Sequence, residues 1–591
     1  SAFSRRGLII LFSDPQRPTH ISTTNCSIAH DLYFTSDMTP YINSITGETQ
    51  ENQYFNIKYN GDKNSTNIDA TTLKITGKSV GGVNMTIKIG YRVPGLDYDQ
   101  YITYNFVVNV QVYSDEDKPT PIENAEQFVE YLTSGGNQYA STNFILMNDI
   151  VLENFTPFET TNFASLDGNN KVITIKNFNI PTGNSVNLGL FVTVANNSTV
   201  KNLVVNYGQL ADIIVPTSVT NFNFGGLAIT NSGIIYNCEV VSLDLEKNSP
   251  SSNAGIRIYF GSEGKQKADN VSSQIAGFVV NNNSSITNSR VGAKTIFREN
   301  GVAVVEGFKH ISYVDDKVVT EVFNYGAFNI IGQGNMSGFV ITNNGVIAAS
   351  YFANGKIVNQ TTSGSLSETA GFVVVNNMEG TIFGSFVEGI KLDSDTSVNI
   401  TGGGIVAQGI SAGFAYENYG SISDCYTNIR LAGESTGRIV SGFVYNNHTS
   451  GKVARCYSAS TIVGQLTTQM PFSGKNARDE IMQNAEDGLV NCYYLVKKQD
   501  TESVLEEKYN TGAIALQIST LRSDTFYGLT LTTKKNGNDG VWAWDGLLPQ
   551  LVSANQKAIS VRRVIKNYSS LVSGGSSIEN INIYPYIPGY E

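Results

Sequence analysis

Charge is scarce in this chain. Asp, Glu, Lys and Arg together make 15% of 591 residues, and 51 acids against 40 bases give a formal net charge of -11. Arg562, Arg563 and Lys566 are the nearest thing to a basic cluster and read as a solvated face. Nucleic acid and anionic membrane surfaces are held through arrays of positive charge, so neither is expected as the main partner. Cysteine is equally sparse: Cys26, Cys238, Cys425, Cys456 and Cys492 include no pair at two-residue spacing, which removes both a disulfide framework and a zinc site. The four histidines, His20, His30, His310 and His448, give little support to a triad. No apolar run approaches the roughly 18 residues that a spanning helix needs. The opening GLIILF is shorter than a signal-peptide core and reads as a first strand. A chain that begins with Ser1 is expected to be a processed export product or part of a longer polypeptide.

What is plentiful is glycine (56), tyrosine (30) and phenylalanine (29), the balance of an all-β protein with many turns. Seven times between residues 189 and 457 the chain repeats Gly, then Phe or Leu, a short apolar run, an Asn-rich turn and a second apolar run. GFVVNNNSSITNSRV, GFVITNNGVIAASYF and GFVYNNHTSGKVARCYS are examples. A unit of that size cannot bury its apolar face alone, so it must stack on copies of itself. The glycine-to-glycine separation varies from 29 residues (Gly413 to Gly442) to 61 (Gly277 to Gly338), and most intervals hold no helical pattern. Irregular length around a constant motif predicts a parallel β-helix, whose insertions leave at turns, over a propeller or a helical solenoid. Phe278, Phe339, Phe372, Phe414 and Phe443 are expected to stack inside it as an aromatic ladder, beside glycines that turn tight corners. Asn281, Asn343, Asn376, Asn418 and Asn446, closing the strands, are expected to take left-handed geometry and bond along the axis. The cysteines Cys238, Cys425, Cys456 and Cys492 each follow a turn and should form a column of buried free thiols.

The predicted organisation is an N-terminal arm (1–19), an antiparallel Ig-like β-sandwich (20–118), a linker with a capping helix (119–135), the β-helix (136–555) and C-terminal strands with a tail (556–591). Segments near 243–272 and 293–334 read as insertions leaving the rungs. TTLKITGKSVGGVNMTIKI followed by FVVNVQVYSDEDKP resembles bacterial Ig-like surface modules. The repeats resemble the GLUG motif of large bacterial surface and secreted proteins, with Phe more often than Leu after the first Gly. ILMNDIVL with FASLDGNNKVITIKNFNI resembles the entry of those domains, and VWAWDGLLPQLV their exit. The resemblance implies a right-handed parallel β-helix and an exported, surface-associated protein, and implies no activity.

Two carboxylate pairs, Asp315 with Asp316 and Asp393 with Asp395, are the candidates for glycosidic chemistry, which needs paired acids in a groove; solvated turns are the competing reading. Asp97 with Asp99, and Asp115 with Glu116 and Asp117, are calcium candidates at the end of the Ig-like module, against an ordinary charged linker. Calcium is the one cofactor in prospect. The expectation is a non-enzymatic structural or adhesive protein of a microbial cell surface. Its loops would meet protein or glycan, and its N-terminal strand or tail would support self-association into a filament or layer. The alternative is a polysaccharide-degrading enzyme or phage-type spike on the same scaffold.

Overall fold

A computed structural model describes, with side chains, residues 119–133, 136–169, 171–243, 255–292, 328–353, 355–362, 367–389, 404–433, 439–460, 470–474, 488–495 and 513–516. It describes further strand residues within 19–113, 295–323, 390–400, 461–476 and 542–551, and at 496 and 517, by their backbone alone. Cys26 and the acids Asp97, Asp99, Asp115, Glu116, Asp117, Asp315, Asp316, Asp393 and Asp395 lie outside the described residues.

The chain divides into two units, one of Ser1–Thr120, Phe308–Phe323 and Thr530–Glu591, the other of Pro121–Gly307 and Asn324–Leu529. In the first, Gly81–Arg92 pairs antiparallel with Tyr101–Tyr113 and with Tyr41–Ile45, and Thr19–Ser22 adds parallel to Tyr101–Tyr113. A separate antiparallel pair joins Phe55–Asn60 to Thr72–Gly77.

The second unit is a parallel β-solenoid. Five parallel sheets of 9, 11, 11, 8 and 7 strands run through it, and each full coil gives one short strand to each sheet. One coil illustrates the plan: Ser185–Leu188, Phe191–Val194, Thr199–Lys201, Val204–Asn206 and Ile213–Val215. The next begins at Asn221–Gly225, with Val186 opposite Phe222 and Leu188 opposite Phe224. Val, Ile and Phe at alternate positions fill one continuous interior from Ile122 to Tyr494. A short helix, Ala125–Thr133, is capped by the Asn124 side chain, which accepts from the Gln127 amide at 2.9 Å. The helix buries Phe128 and Leu132 in that interior, Phe128 edge-on to Phe158 at 5.3 Å. The eleven-stranded sheet that passes Asn143–Leu146 extends to Thr120–Ile122, ahead of this helix.

Three long insertions leave at one corner, between the fourth and fifth strands of a coil. Residues 242–254, 293–327 and 389–403 all depart there, whereas a single residue, 354, makes the same connection in the coil between. The insertions are shorter than the sequence reading had them. Gly255–Phe260 and Phe328–Gly332 pair in register with each other and belong to the rungs. Their alternation is too short to be told from a loop before its neighbours are known.

A second corner has a fixed backbone rule. Between the third and fourth strands every coil from Asn202 to Asn491 places one residue at positive φ: Asn202, Asn237, Asn288, Ala349, Gly384, Asp424, Arg455 and Asn491, all between 50° and 59°. Asn, Asp and Gly suit this left-handed geometry, and Ala349 and Arg455 do not. Arg455 is held by a two-bond ion pair to Asp424, the equivalent residue one coil back (2.8 and 2.7 Å). The asparagines predicted to be left-handed are therefore the wrong ones: Asn343, Asn376 and Asn418 close strands of another sheet and are absent from the positive-φ residues.

Candidate functional site

The repeated Gly-Phe phrase marks the corner between the eight- and nine-stranded sheets. Phe278, Phe339, Phe372, Phe414, Phe443 and, beyond the repeats, Phe472 stack with centroids 4.7 to 4.9 Å apart. Leu190 and Leu227 occupy the same column in the earlier coils, their carbonyls receiving the equivalent axial bonds. The glycines Gly226, Gly277, Gly338, Gly371 and Gly413 are not at positive φ; a Cβ on any of them would collide with the carbonyl oxygen of the equivalent glycine in the next coil. Close axial approach, rather than an unusual turn, is what demands glycine here.

The asparagine ladder runs one residue away from part of its expected course. Asn231, Asn282, Asn343, Asn376 and Asn418 each donate Nδ2 to the next Oδ1, at 2.8 to 2.9 Å, the run reaching Asn447, and all six are buried. Asn281 and Asn446 stand outside it, half-buried on the outer surface. Counting from the glycine, the ladder takes the fifth residue after it in every coil, and Asn281 and Asn446 are the fourth. Adjacent asparagines in NN pairs hide this offset, because neighbouring residues of a strand point to opposite faces.

The thiols Cys238, Cys425, Cys456 and Cys492 are free and buried. They share a column with Ser289, Ser350 and Ser385, whose hydroxyls donate to the carbonyl two residues back at 2.9 to 3.1 Å. Cys425 and Cys456 make the same bond through sulfur at 3.1 and 3.3 Å. Burial pushes the Cys456 and Cys492 thiols well up, away from thiolate chemistry.

Outside the main interior lies a second apolar cluster that the sequence reading missed. Ala276, Ala370 and Ala412 end strands of the eight-stranded sheet, and Val280, Val374 and Tyr416 lie across the corner in the nine-stranded one. Their neighbours Ile275, Phe278 and Val279 belong to the main interior, so these side chains point the other way. Yet they are almost completely closed to solvent, at 0 to 7% exposure. Outward side chains of the two sheets pack on one another here, as they do where two sheets bend toward each other, outer face on outer face. The corner is re-entrant, and a valley runs along its seam.

The slopes of that valley are polar and half-buried. Gln274, Asn335 and Glu368 stand in one column, and Asn281, Thr342 and Glu417 in the facing one. Glu417 is the best-defined polar centre. Its Oε2 accepts from Asn446 Nδ2 at 3.0 Å and meets His448 Nε2, while the His448 ring stacks on Tyr419 at 3.8 Å. The Glu368 carboxyl is raised, first by burial and then by Glu417, and the Tyr419 hydroxyl is raised by burial and both acids. His448 therefore does find partners, as a ring on Tyr419 and a contact of Glu417. Its signal in the sequence was the pair of aromatic-turn phrases AYENYG and VYNNHT, offset by one coil. His20 and His310 lie on strands described by backbone alone.

Elsewhere Arg290 and Glu239, opposite each other on adjacent coils, form a fully buried ion pair. Among the described residues no group of His, Cys, Asp and Glu could hold a metal ion, and no helix is long and apolar enough to cross a membrane. Comparison with models of protein families gives no match, and neither does comparison with curated proteins.

Proposed function

We propose that the chain is an extracellular structural or adhesive protein of a microbial surface, built as a right-handed β-helix preceded by an Ig-like module. The observation that carries this reading is the uninterrupted winding of five parallel sheets about one interior. Aromatic and amide ladders repeat in nearly every coil, and such a body resists bending and offers length. Three long insertions that share one corner support a role in presentation, since loops fixed to a stiff scaffold can meet a partner without disturbing the rungs. The GLUG-like and Ig-like sequence phrases support export to a surface. Self-association through the N-terminal strand or the tail extends the proposal to filaments or layers.

Single-particle imaging of the purified chain should show a rod, and labelling of producing cells with an antibody to it should mark their exterior. Intracellular labelling, or steady release of reducing ends from polysaccharide by the chain, would overturn the reading.

A further inference from the structure

The re-entrant valley has the character of a ligand track, and three features on it restrict what can lie there. First, each coil carries at least one polar group on its slopes, and the coils lie about 4.8 Å apart along the axis. Over four coils, a run of about 14 Å, the facing positions are Gln274 with Asn281, Asn335 with Thr342, Glu368 with Val375 and Ile410 with Glu417. Second, its slopes combine hydrogen-bonding groups with half-buried apolar ones, Val375 and Ile410, which pack against the closed seam. Third, its charge over these four coils is acidic: the carboxyl groups of Glu368 and Glu417 stand in the two columns with no Lys or Arg among their members there, and Lys475 enters the second column only two coils beyond Glu417.

An added peptide strand needs a free sheet edge, and strands in the middle of both sheets are bonded on each side, so backbone pairing is closed to it. Nucleic acid and anionic polysaccharide meet the two carboxylates without compensating bases. A linear chain of uncharged sugars fits all three features, having hydroxyl edges for amides and carboxylates and apolar ring faces for Val375, Ile410 and the Tyr419–His448 stack. We propose that this valley binds a linear neutral polysaccharide along the solenoid axis, with Asn281, Thr342 and Glu417 on one side of it and Gln274, Asn335 and Glu368 on the other. The proposal rests on the adhesive reading for its biological sense, and deepens it by naming the site and the ligand class.

The test is affinity electrophoresis and calorimetry of the full chain against a soluble neutral glucan, a soluble glucomannan and polygalacturonate. The neutral polymers should bind and the anionic one should not. Thr342→Trp, which fills the valley, should abolish binding, whereas Val346→Trp, on an exposed position of the adjoining sheet in the same coil, should leave it unchanged. Removing two hydrogen-bonding groups together, Gln274→Ala with Asn281→Ala, should weaken binding roughly tenfold and serves if Thr342→Trp does not fold. Absence of neutral-glycan binding by the folded wild-type chain, stronger binding of polygalacturonate, or equal losses in the valley and control variants would overturn the proposal. A chain that is rod-shaped and surface-labelled but binds no sugar would lose the valley and keep the adhesive reading.

Discussion

Replacing Asn282 by Ala tests the register of the amide ladder, because its neighbour Asn281 offers a matched control one residue away. Asn282 donates Nδ2 to Asn343 Oδ1 at 2.8 Å and accepts at Oδ1 from Asn231 Nδ2, also at 2.8 Å. Truncation removes both bonds, each worth about 1 kcal/mol net, and leaves two buried amides short of a partner. Asn231 retains its bond to the Ser285 carbonyl at 3.2 Å and Asn343 its bond from the Gly345 amide at 3.2 Å, so the orphaning penalty falls at its lower end, about 1 kcal/mol. The expected loss is about 3 kcal/mol. Asn281→Ala, at a half-buried outer position, should stay within about 0.5 kcal/mol. Guanidinium unfolding followed by far-UV circular dichroism reads both, and comparison at equal slope removes changes in the unfolded state. Equal effects of the two substitutions, or a larger effect of Asn281→Ala, would refute the assigned register and the ladder with it.

Phe372→Ala should destabilise by about 3 to 5 kcal/mol in the same assay, while Phe372→Leu should cost far less, since Leu227 fills that column two coils earlier than Phe339 does. Ala349→Gly should stabilise by about 1 kcal/mol in thermal unfolding, relieving a left-handed alanine at φ 50°, and Gly384→Ala at the equivalent corner should destabilise by a similar amount. Glu368 is an acid whose folded pKa is raised, so the folded state holds its proton more tightly than the unfolded chain. Its contribution favours folding at low pH and is lost as pH rises from the ordinary glutamate range through the folded value. Glu368→Gln should therefore flatten that part of the stability-against-pH curve, and an unchanged curve would refute the raised, buried carboxyl.

The fold class was legible because the Gly-Phe-apolar-Asn phrase is a direct imprint of stacking: identical environments in successive coils select identical residues. The phenylalanine column could be read residue by residue, since Phe follows the glycine at a constant offset. The asparagine column could not, because paired asparagines such as Asn281 and Asn282 present the same letter to both faces of a strand. Which one turns inward is set by a strand register that only the neighbouring coils fix. The left-handed corner was also hidden, as its eight positions hold five residue types and share nothing but backbone geometry.

Composition and periodicity by themselves determined that this chain is all-β, repetitive and sparing in histidine, cysteine and charge. Only the tertiary structure decided where the outside bends inward. A re-entrant corner depends on the angle between two sheets, which no local pattern encodes. That angle brings Glu368 and Glu417, 49 residues apart in sequence, to the two sides of one valley, and buries Val280 and Ala276 on the face that alternation alone assigns to water.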